Sequence, residues 1–450
     1  MLASLLAASH LMPLELLPAK AAEHAAGVGF TQVLIYAVDL QGEVLRLLTG
    51  EGSDAGQGAA GEETELRIEG TVAGRAFQYG QIVAGAETGG VGSHWWVPLL
   101  DGTERLGVLR ITTVHGDQRA LEDMELLSAL LALLIDSKRR SSDSYARLTR
   151  VKPLAVAAEM QWHLMPPRTY ADGRVMISAA MEPAYRISGD AYDYAIAGHV
   201  VHLSLFDAMG HDTAAGLTAN LAMGACRNAR RAGAGLVKTS ERIEEVLLEQ
   251  YGRTRYATGI LADLDTRTGA LTWVNRGHHP PVVIRGGRWI TLLDCPPAHP
   301  MGTALGLPVL LCRDQLEPGD RLVLYTDGIT EARRADNEEF GLRRFTDFLI
   351  RHHAAGLPVP ETLRRLVRAV LEHHDGQLQD DATVLFCEWL GPVPRPTARA
   401  AALAGLPPTD PGADRAAPQG TAGRHRGFRD GDCDAWDAGA GAGDASAAAG

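Results

Sequence analysis

The chain has 450 residues, of which 46% are hydrophobic and 22% charged, with a formal net charge of -12. That length accommodates two or three domains, and the composition is that of a globular protein. The acidic balance argues against binding to nucleic acid or to an anionic membrane surface, both of which need basic patches.

Residues 1–17 are leucine-rich, but they lack a basic leading segment and are interrupted by His10, Pro13 and Glu15, so they do not read as a signal peptide. Residues 31–38 (TQVLIYAV) read as a strand, 50–62 as a loop, and 70–77 as a short helix between glycines. Two strands follow, 94–100 and 107–113, joined by Asp101-Gly102-Thr103-Glu104, which has hairpin chemistry. Strand alternation points one of Trp95 and Trp96 inward, as core or as a pocket wall. Met124, Leu127, Leu131 and Leu134 then fall on one face of a closing helix. The stretches EGTVAGRAFQYGQIV and HWWVPLLDGTERLGVLRI resemble a GAF sensor domain. The resemblance implies an α/β fold over residues 1–140 and a GAF ligand whose identity is unknown.

Residues 138–144 break the pattern and open a helical linker over 141–167. Pro153 suits a first helical turn. Behind it Ala155, Ala158, Trp162 and Met165 repeat at three- and four-residue spacing until Pro166-Pro167. This seam either pairs with a second copy, giving a homodimer, or packs on its own domain. Beyond it, strand-like runs at 175–181, 199–206, 257–264, 271–274, 282–285, 321–326 and 383–389 alternate with helical stretches at 214–231, 241–251, 342–353 and 361–373. The pattern fits an α+β fold, an antiparallel β-sandwich flanked by helices, over 168–390. Residues 391–450 have few large apolar side chains and are expected to form a disordered tail. The five cysteines are dispersed without a Cys-x-x-Cys pair, which suggests reduced thiols, no disulfide framework and a cytoplasmic protein. The apolar run at 129–135 is too short to span a bilayer, so no membrane is expected.

Four acidic loops carry the chemistry: Ser188-Gly189-Asp190, Asp207-Ala208-Met209-Gly210-His211, Tyr325-Thr326-Asp327-Gly328 and Gln379-Asp380-Asp381-Ala382-Thr383. Aspartates are poor strand formers, and one at the mouth of an apolar strand commonly caps a turn. Four that converge on one sheet edge repel each other unless cations lie between them. Oxygen ligands without histidine or cysteine favour hard ions such as magnesium or manganese.

These loops, taken in order with Asn275-Arg276-Gly277-His278-His279-Pro280-Pro281, resemble the metal-dependent protein serine/threonine phosphatases of the PPM or type 2C family, in the SpoIIE-like sporulation branch. Arg276 departs from the alanine usual in that motif. The resemblance implies two Mn2+ or Mg2+ ions, with Asp207 bridging them and the Ala208 carbonyl on one. Asp190 and Asp327 would complete one shell, and Asp327 and Asp380 would serve the other. Asp207 and Asp327 would be the catalytic carboxylates. Asp193 and Asp381 are either carboxylates that support the metal ligands from behind or solvated turn carboxylates. Arg186, four residues before Asp190, is a candidate phosphate ligand or a plain surface arginine. His211 could give a proton to the leaving alkoxide, and His278 and His279 read as a turn between strands. The branch further implies a phosphorylated STAS-type anti-sigma-factor antagonist as substrate. A signalling scaffold that only binds partners is the alternative, and the intact acidic loops argue against it. A haloacid-dehalogenase mechanism fails, because Tyr325 stands where its nucleophilic aspartate belongs.

Overall fold

In the computed structural model of the chain, six antiparallel strands form the first sheet. They are β1 (Phe30–Val38), β2 (Val44–Leu47), β3 (Glu65–Arg67), β4 (Val83–Ala84), β5 (Ser93–Asp101) and β6 (Glu104–Thr113), in the order β3-β2-β1-β6-β5-β4. The structure describes residues 2–50, 63–85, 93–114, 116–186, 189–334, 337–374, 378, 380–393 and 405. The tail expected at 391–450 therefore lies almost wholly outside the described residues.

Helices α1 (Leu2–Ser9) and α2 (Leu17–Ala25) precede this sheet, and α3 (Val72–Tyr79), α4 (Gln118–Arg139), α5 (Asp143–Thr149) and α6 (Val156–Leu164) follow in chain order. Their starts are set by side-chain oxygens that take up free amides. Thr71 caps α3 through the Gly74 amide at 2.9 Å, Asp117 caps α4 through Ala120 at 2.9 Å, and Ser142 caps α5 through Tyr145 at 3.2 Å. Two-residue alternation in β1 serves both faces of the sheet. Val33, Ile35 and Ala37 join the core shared with α2 and α4, while Leu34 and Tyr36 join a second core with α3. Trp96 is buried in that second core and Trp95 lies against the first, so the two indoles line opposite faces.

The remaining elements are β7 (Thr169–Ala171), β8 (Val175–Glu182), β9 (Asp190–Ala197), β10 (Val200–Ala208), α7 (Thr213–Arg231), α8 (Leu236–Tyr251), β11 (Ala257–Asp265), β12 (Ala270–Arg276), β13 (Val282–Arg285), β14 (Trp289–Leu292), β15 (Cys312–Gln315), β16 (Arg321–Tyr325), α9 (Asp327–Thr330), α10 (Gly341–Ala354), α11 (Val359–His373) and β17 (Ala382–Trp389). They form two antiparallel sheets, β15-β12-β11-β10-β9 and β14-β13-β16-β17-β8-β7. The fold class is α+β, a sandwich of these sheets flanked by helices. Alternation again divides the side chains. Leu322, Leu324, Leu385 and Cys387 enter the core between the sheets, whereas Val323, Tyr325, Val384 and Phe386 meet Phe345 and Leu349 of α10 and Leu363 and Leu366 of α11.

The β1–β2 turn meets the later part of the chain through polar contacts. Arg168 donates to the Leu40 carbonyl at 2.6 Å, Gln41 Nε2 to Glu182 at 3.0 Å, and Arg364 to the Gly42 carbonyl at 3.2 Å. The seam on α6 packs within its own chain. Ala158 and Met165 are buried, and the Trp162 indole donates to the Ala184 carbonyl at 2.8 Å. Pro153 falls ahead of the Ala155 N-cap instead of inside the first turn. Among the described residues, no helix is long and apolar enough to cross a membrane.

Cys295 and Cys312 form a disulfide, which corrects the expectation of thiols throughout. The sheets bring the end of β14 near the start of β15, so cysteines 17 positions apart lie with Cα atoms 5.9 Å from each other. Dispersion along the chain carries no information about that proximity. Cys226 and Cys387 are free and buried.

Arg276, the departure from the family motif, is fully buried. Its guanidinium pairs with Glu244 and donates to Ser240 Oγ at 3.1 Å and the His299 carbonyl at 2.9 Å. The longer side chain is thus matched by a polar cluster behind β12. Removing one partner strands the other's charge, so Arg276→Ala should cost about 3 kcal/mol. Urea unfolding checks this; a loss below about 1 kcal/mol would show the cluster to be slack.

Candidate functional site

The two sheets of the sandwich meet at their acidic loops. β9 and β10 pair with Asp190 opposite Asp207, and β10 and β11 pair with Asp207 opposite Thr258. In the other sheet, Asp327 follows β16 and Asp380-Asp381 precedes β17, and the ladder is continued by Thr326 N to the Thr383 carbonyl at 3.0 Å. The join between the sheets is Asp190, which is 2% exposed. Its Oδ2 accepts from Thr326 Oγ1 at 2.7 Å and from Thr383 Oγ1 at 2.5 Å. Asp381 makes the reciprocal bond, its Oδ2 accepting the Gly189 amide at 2.6 Å and the Asp190 amide at 3.3 Å.

Two glycines shape the loops, one by close approach and one by backbone conformation. A Cβ on Gly328 would stand 2.0 Å from the Asp381 carbonyl oxygen, so a side chain there would push α9 off the β17 loop. Gly210 has φ 93°, in the left-handed region that favours glycine.

The electrostatics follow from this convergence. Burial, and then Asp207 and Asp381, push the Asp190 carboxyl well above the ordinary carboxylate range. Burial together with Asp327, Asp380 and Asp381 pushes Asp207 up to about 7. Asp380 is also raised, by burial and by Asp327. Among the described residues, none of Asp190, Asp207, Asp327 and Asp380 has an arginine or lysine partner. Like charges gathered without a counter-charge leave room for cations, and an all-oxygen set suits a hard divalent ion. The residues present therefore fit such an ion.

Of the sequence-expected residues, Asp190, Asp207, Ala208, Asp327 and Asp380 come together; Ser188 lies outside the described residues. His211 is exposed on the loop after β10, near enough for its charge to favour the Asp380 carboxylate. Arg186 is exposed, with no side-chain partner among the described residues. The solvated reading of Asp193 and Asp381 is corrected, because both are buried. Asp193 holds Arg227 at 2.7 Å and Arg230 at 2.9 Å on α7, so the helix explains it. His278 is buried as well: burial lowers it to about 4, and its ring reaches Thr258 and the Tyr325 carbonyl. His279 is exposed, stacked on Tyr325, and brings one ring nitrogen within 4.8 Å of carboxylate oxygens of Asp327 and Glu331.

Sequence reasoning missed Thr326, Thr383, Thr258 and Gln161. The first two flank expected ligands, a signal that was available. Gln161 on α6 donates to the Asp190 carbonyl at 2.8 Å, and no motif announced it.

Residues 197–390 match the family model described as Stage II sporulation protein E (SpoIIE). Asp207, Asp327 and Asp380 fall inside the matched stretch and Asp190 just before it. Two curated relatives are similar. Protein IcfG of Synechocystis sp. is 28% identical over 132 residues, which is 29% of this chain and 20% of that protein. Phosphoserine phosphatase RsbU of Bacillus subtilis is 23% identical over 236 residues, 52% of this chain and 68% of that protein. The chain thus spans a fifth of the first relative and about two thirds of the second. Among solved structures, the SiaA-PP2C domain of Pseudomonas aeruginosa is 21% identical, covering 52% of this chain and 94% of that one, with TM-score 0.45.

The raised Asp207 makes the metal-free protein pH-sensitive. With a pKa near 7 folded and about 3.9 unfolded, the unfolded chain releases its proton first as pH rises. The stability present below pH 4 is therefore lost by pH 7, on the order of 2–4 kcal/mol. Melting in chelator at pH 5 to 8 should show a falling Tm that Asp207→Asn flattens. A Tm independent of pH would contradict the convergence.

Proposed function

We propose that residues 168–390 are a metal-dependent protein serine/threonine phosphatase. The observation that carries this reading is the meeting of four carboxylates, without a cationic partner, at the junction of the two sheets. Asp190, Asp207, the Ala208 carbonyl, Asp327 and Asp380 would hold two divalent cations, Mn2+ or Mg2+. When bound, such a pair acidifies a water and neutralises phosphoryl oxygens.

The chain's own groups do the rest. Thr326 and Thr383 fix one oxygen of Asp190. Asp381 clamps the Gly189 turn that presents it. His211 serves as proton donor to the leaving oxygen, and Arg186, exposed on the surface, steers the phosphoryl group. The substrate is a phosphoserine or phosphothreonine of a STAS-type anti-sigma-factor antagonist, in keeping with the similarity to a phosphoserine phosphatase.

Residues 1–140 act as a GAF-like sensor with an unknown ligand and 141–167 as the connecting segment. Support for coupling comes from α6, where Gln161 holds the Asp190 carbonyl and Trp162 the Ala184 carbonyl. A shift of that helix moves a proposed ligand, so control falls on metal occupancy and kcat.

Two results are expected. Hydrolysis of an aryl phosphate should vanish on chelation and return with manganese, and Asp207→Asn should lower kcat at least a hundredfold while the protein stays folded. Near-normal turnover by that variant at saturating manganese would sink the reading. Trp162→Ala should weaken the manganese dependence of the full-length protein severalfold; coincident titration curves for variant and parent would make α6 a passive tether.

A further inference from the structure

The Thr258 hydroxyl faces two acceptors and carries one hydrogen. His278 Nδ1 lies 2.8 Å away and Asp207 Oδ2 lies 3.5 Å away. The ring's protonation pattern follows from its other nitrogen. Nε2 sits 3.0 Å from the Tyr325 carbonyl, which can only accept, so Nε2 carries the ring hydrogen. Nδ1 is then a bare acceptor and takes the Thr258 hydrogen over the shorter distance. The ring has little freedom to do otherwise. It is 7% exposed, and its backbone is locked by exchange with Asn275, the His278 amide donating to Asn275 Oδ1 at 2.8 Å and Asn275 Nδ2 to the His278 carbonyl at 2.9 Å.

We propose that His278 is a positioning residue: by accepting the Thr258 hydrogen it keeps that hydroxyl from donating to Asp207, and so leaves the Asp207 lone pairs to a divalent cation. The same ring ties β11, through Thr258, to the end of β16, two residues before Asp327. It therefore links the strands that present two of the proposed ligands. Without the imidazole acceptor, the hydroxyl turns to Asp207 and makes a charge-assisted hydrogen bond that a metal must displace. The inference rests on the two-cation reading above.

The test uses the metal-free full-length protein and reads manganese binding by electron paramagnetic resonance, with Tm to confirm folding. Glutamine reaches the Tyr325 carbonyl but offers no acceptor at the Nδ1 position, so His278→Gln should weaken manganese binding about tenfold. Asparagine places its oxygen near the Nδ1 position, so His278→Asn should stay within about threefold of the parent. Adding Thr258→Val to His278→Gln removes the competing hydroxyl and should restore binding to within about threefold. A merely structural role predicts the opposite, since the double variant would then bind no better than His278→Gln. The proposal is overturned if His278→Gln binds like the parent, if His278→Asn loses as much as His278→Gln, or if the double variant fails to recover. A parent protein that binds no manganese at all overturns the metal reading and this inference together, whereas normal parent binding with any of those outcomes overturns this inference alone.

Discussion

Like charges brought to one point have to be held there, and in this protein Asp190 is where the holding is done. Its carboxyl group leaves one sheet of the sandwich and accepts hydrogen bonds from hydroxyls of the other, Thr326 and Thr383, while Asp381 accepts in return from the Gly189 and Asp190 amides. Three of these contacts are 2.7 Å or shorter, and all lie in the buried junction. They fix the spacing between the strand ends carrying Asp207 and Asp327. Repulsion among the carboxylates works against the same arrangement, as the raised Asp190, Asp207 and Asp380 groups indicate. The junction is therefore stable by stitching and receptive to cations by charge.

Other parts of the chain reinforce that junction from a distance. The two-sheet sandwich is braced by α6, whose Gln161 reaches the Asp190 carbonyl. The N-terminal region touches the same neighbourhood through its β1–β2 turn, where Gln41 meets Glu182 at the end of β8, the strand beside β17. On the far side, Arg276, Glu244 and His299 form a buried polar cluster behind β12. Met301 of the loop that includes His299 exchanges two backbone bonds with Ala257, next to Thr258. Each contact is polar and specific, so each transmits position better than an apolar surface that can slide. The disulfide between Cys295 and Cys312 closes that loop.

Much of this was legible from local sequence. Alternation and helical spacing located β1, β5, β6, β8, β10 to β13, β16 and β17 and the long helices, because a two- or 3.6-residue period is written directly into the order of apolar residues. The four acidic loops were recognisable for the same kind of reason, since a carboxylate at the end of an apolar strand is an exception that a short window reveals. β9 escaped notice because Asp190 and Asp193 interrupt its pattern, and both are satisfied only by partners elsewhere in the chain, threonines of the opposite sheet and arginines of α7. The exposed four-residue β14 has no buried face to leave a period.

The sequence by itself determined which residues could serve a metal site and in which strands they would sit, for those are matters of residue type and local spacing. Only the tertiary structure decided which carboxylates were buried, which were neutralised by arginine and which were left facing one another. Asp193 and Asp381 looked alike in the sequence, as acids beside a metal-ligand candidate, yet one anchors a helix and the other clamps the ligand loop. His278 and His279 are neighbours, and one is buried between two strands while the other is exposed. Burial and pairing depend on groups tens to hundreds of residues away, and no local pattern encodes the distance between them once the chain has folded.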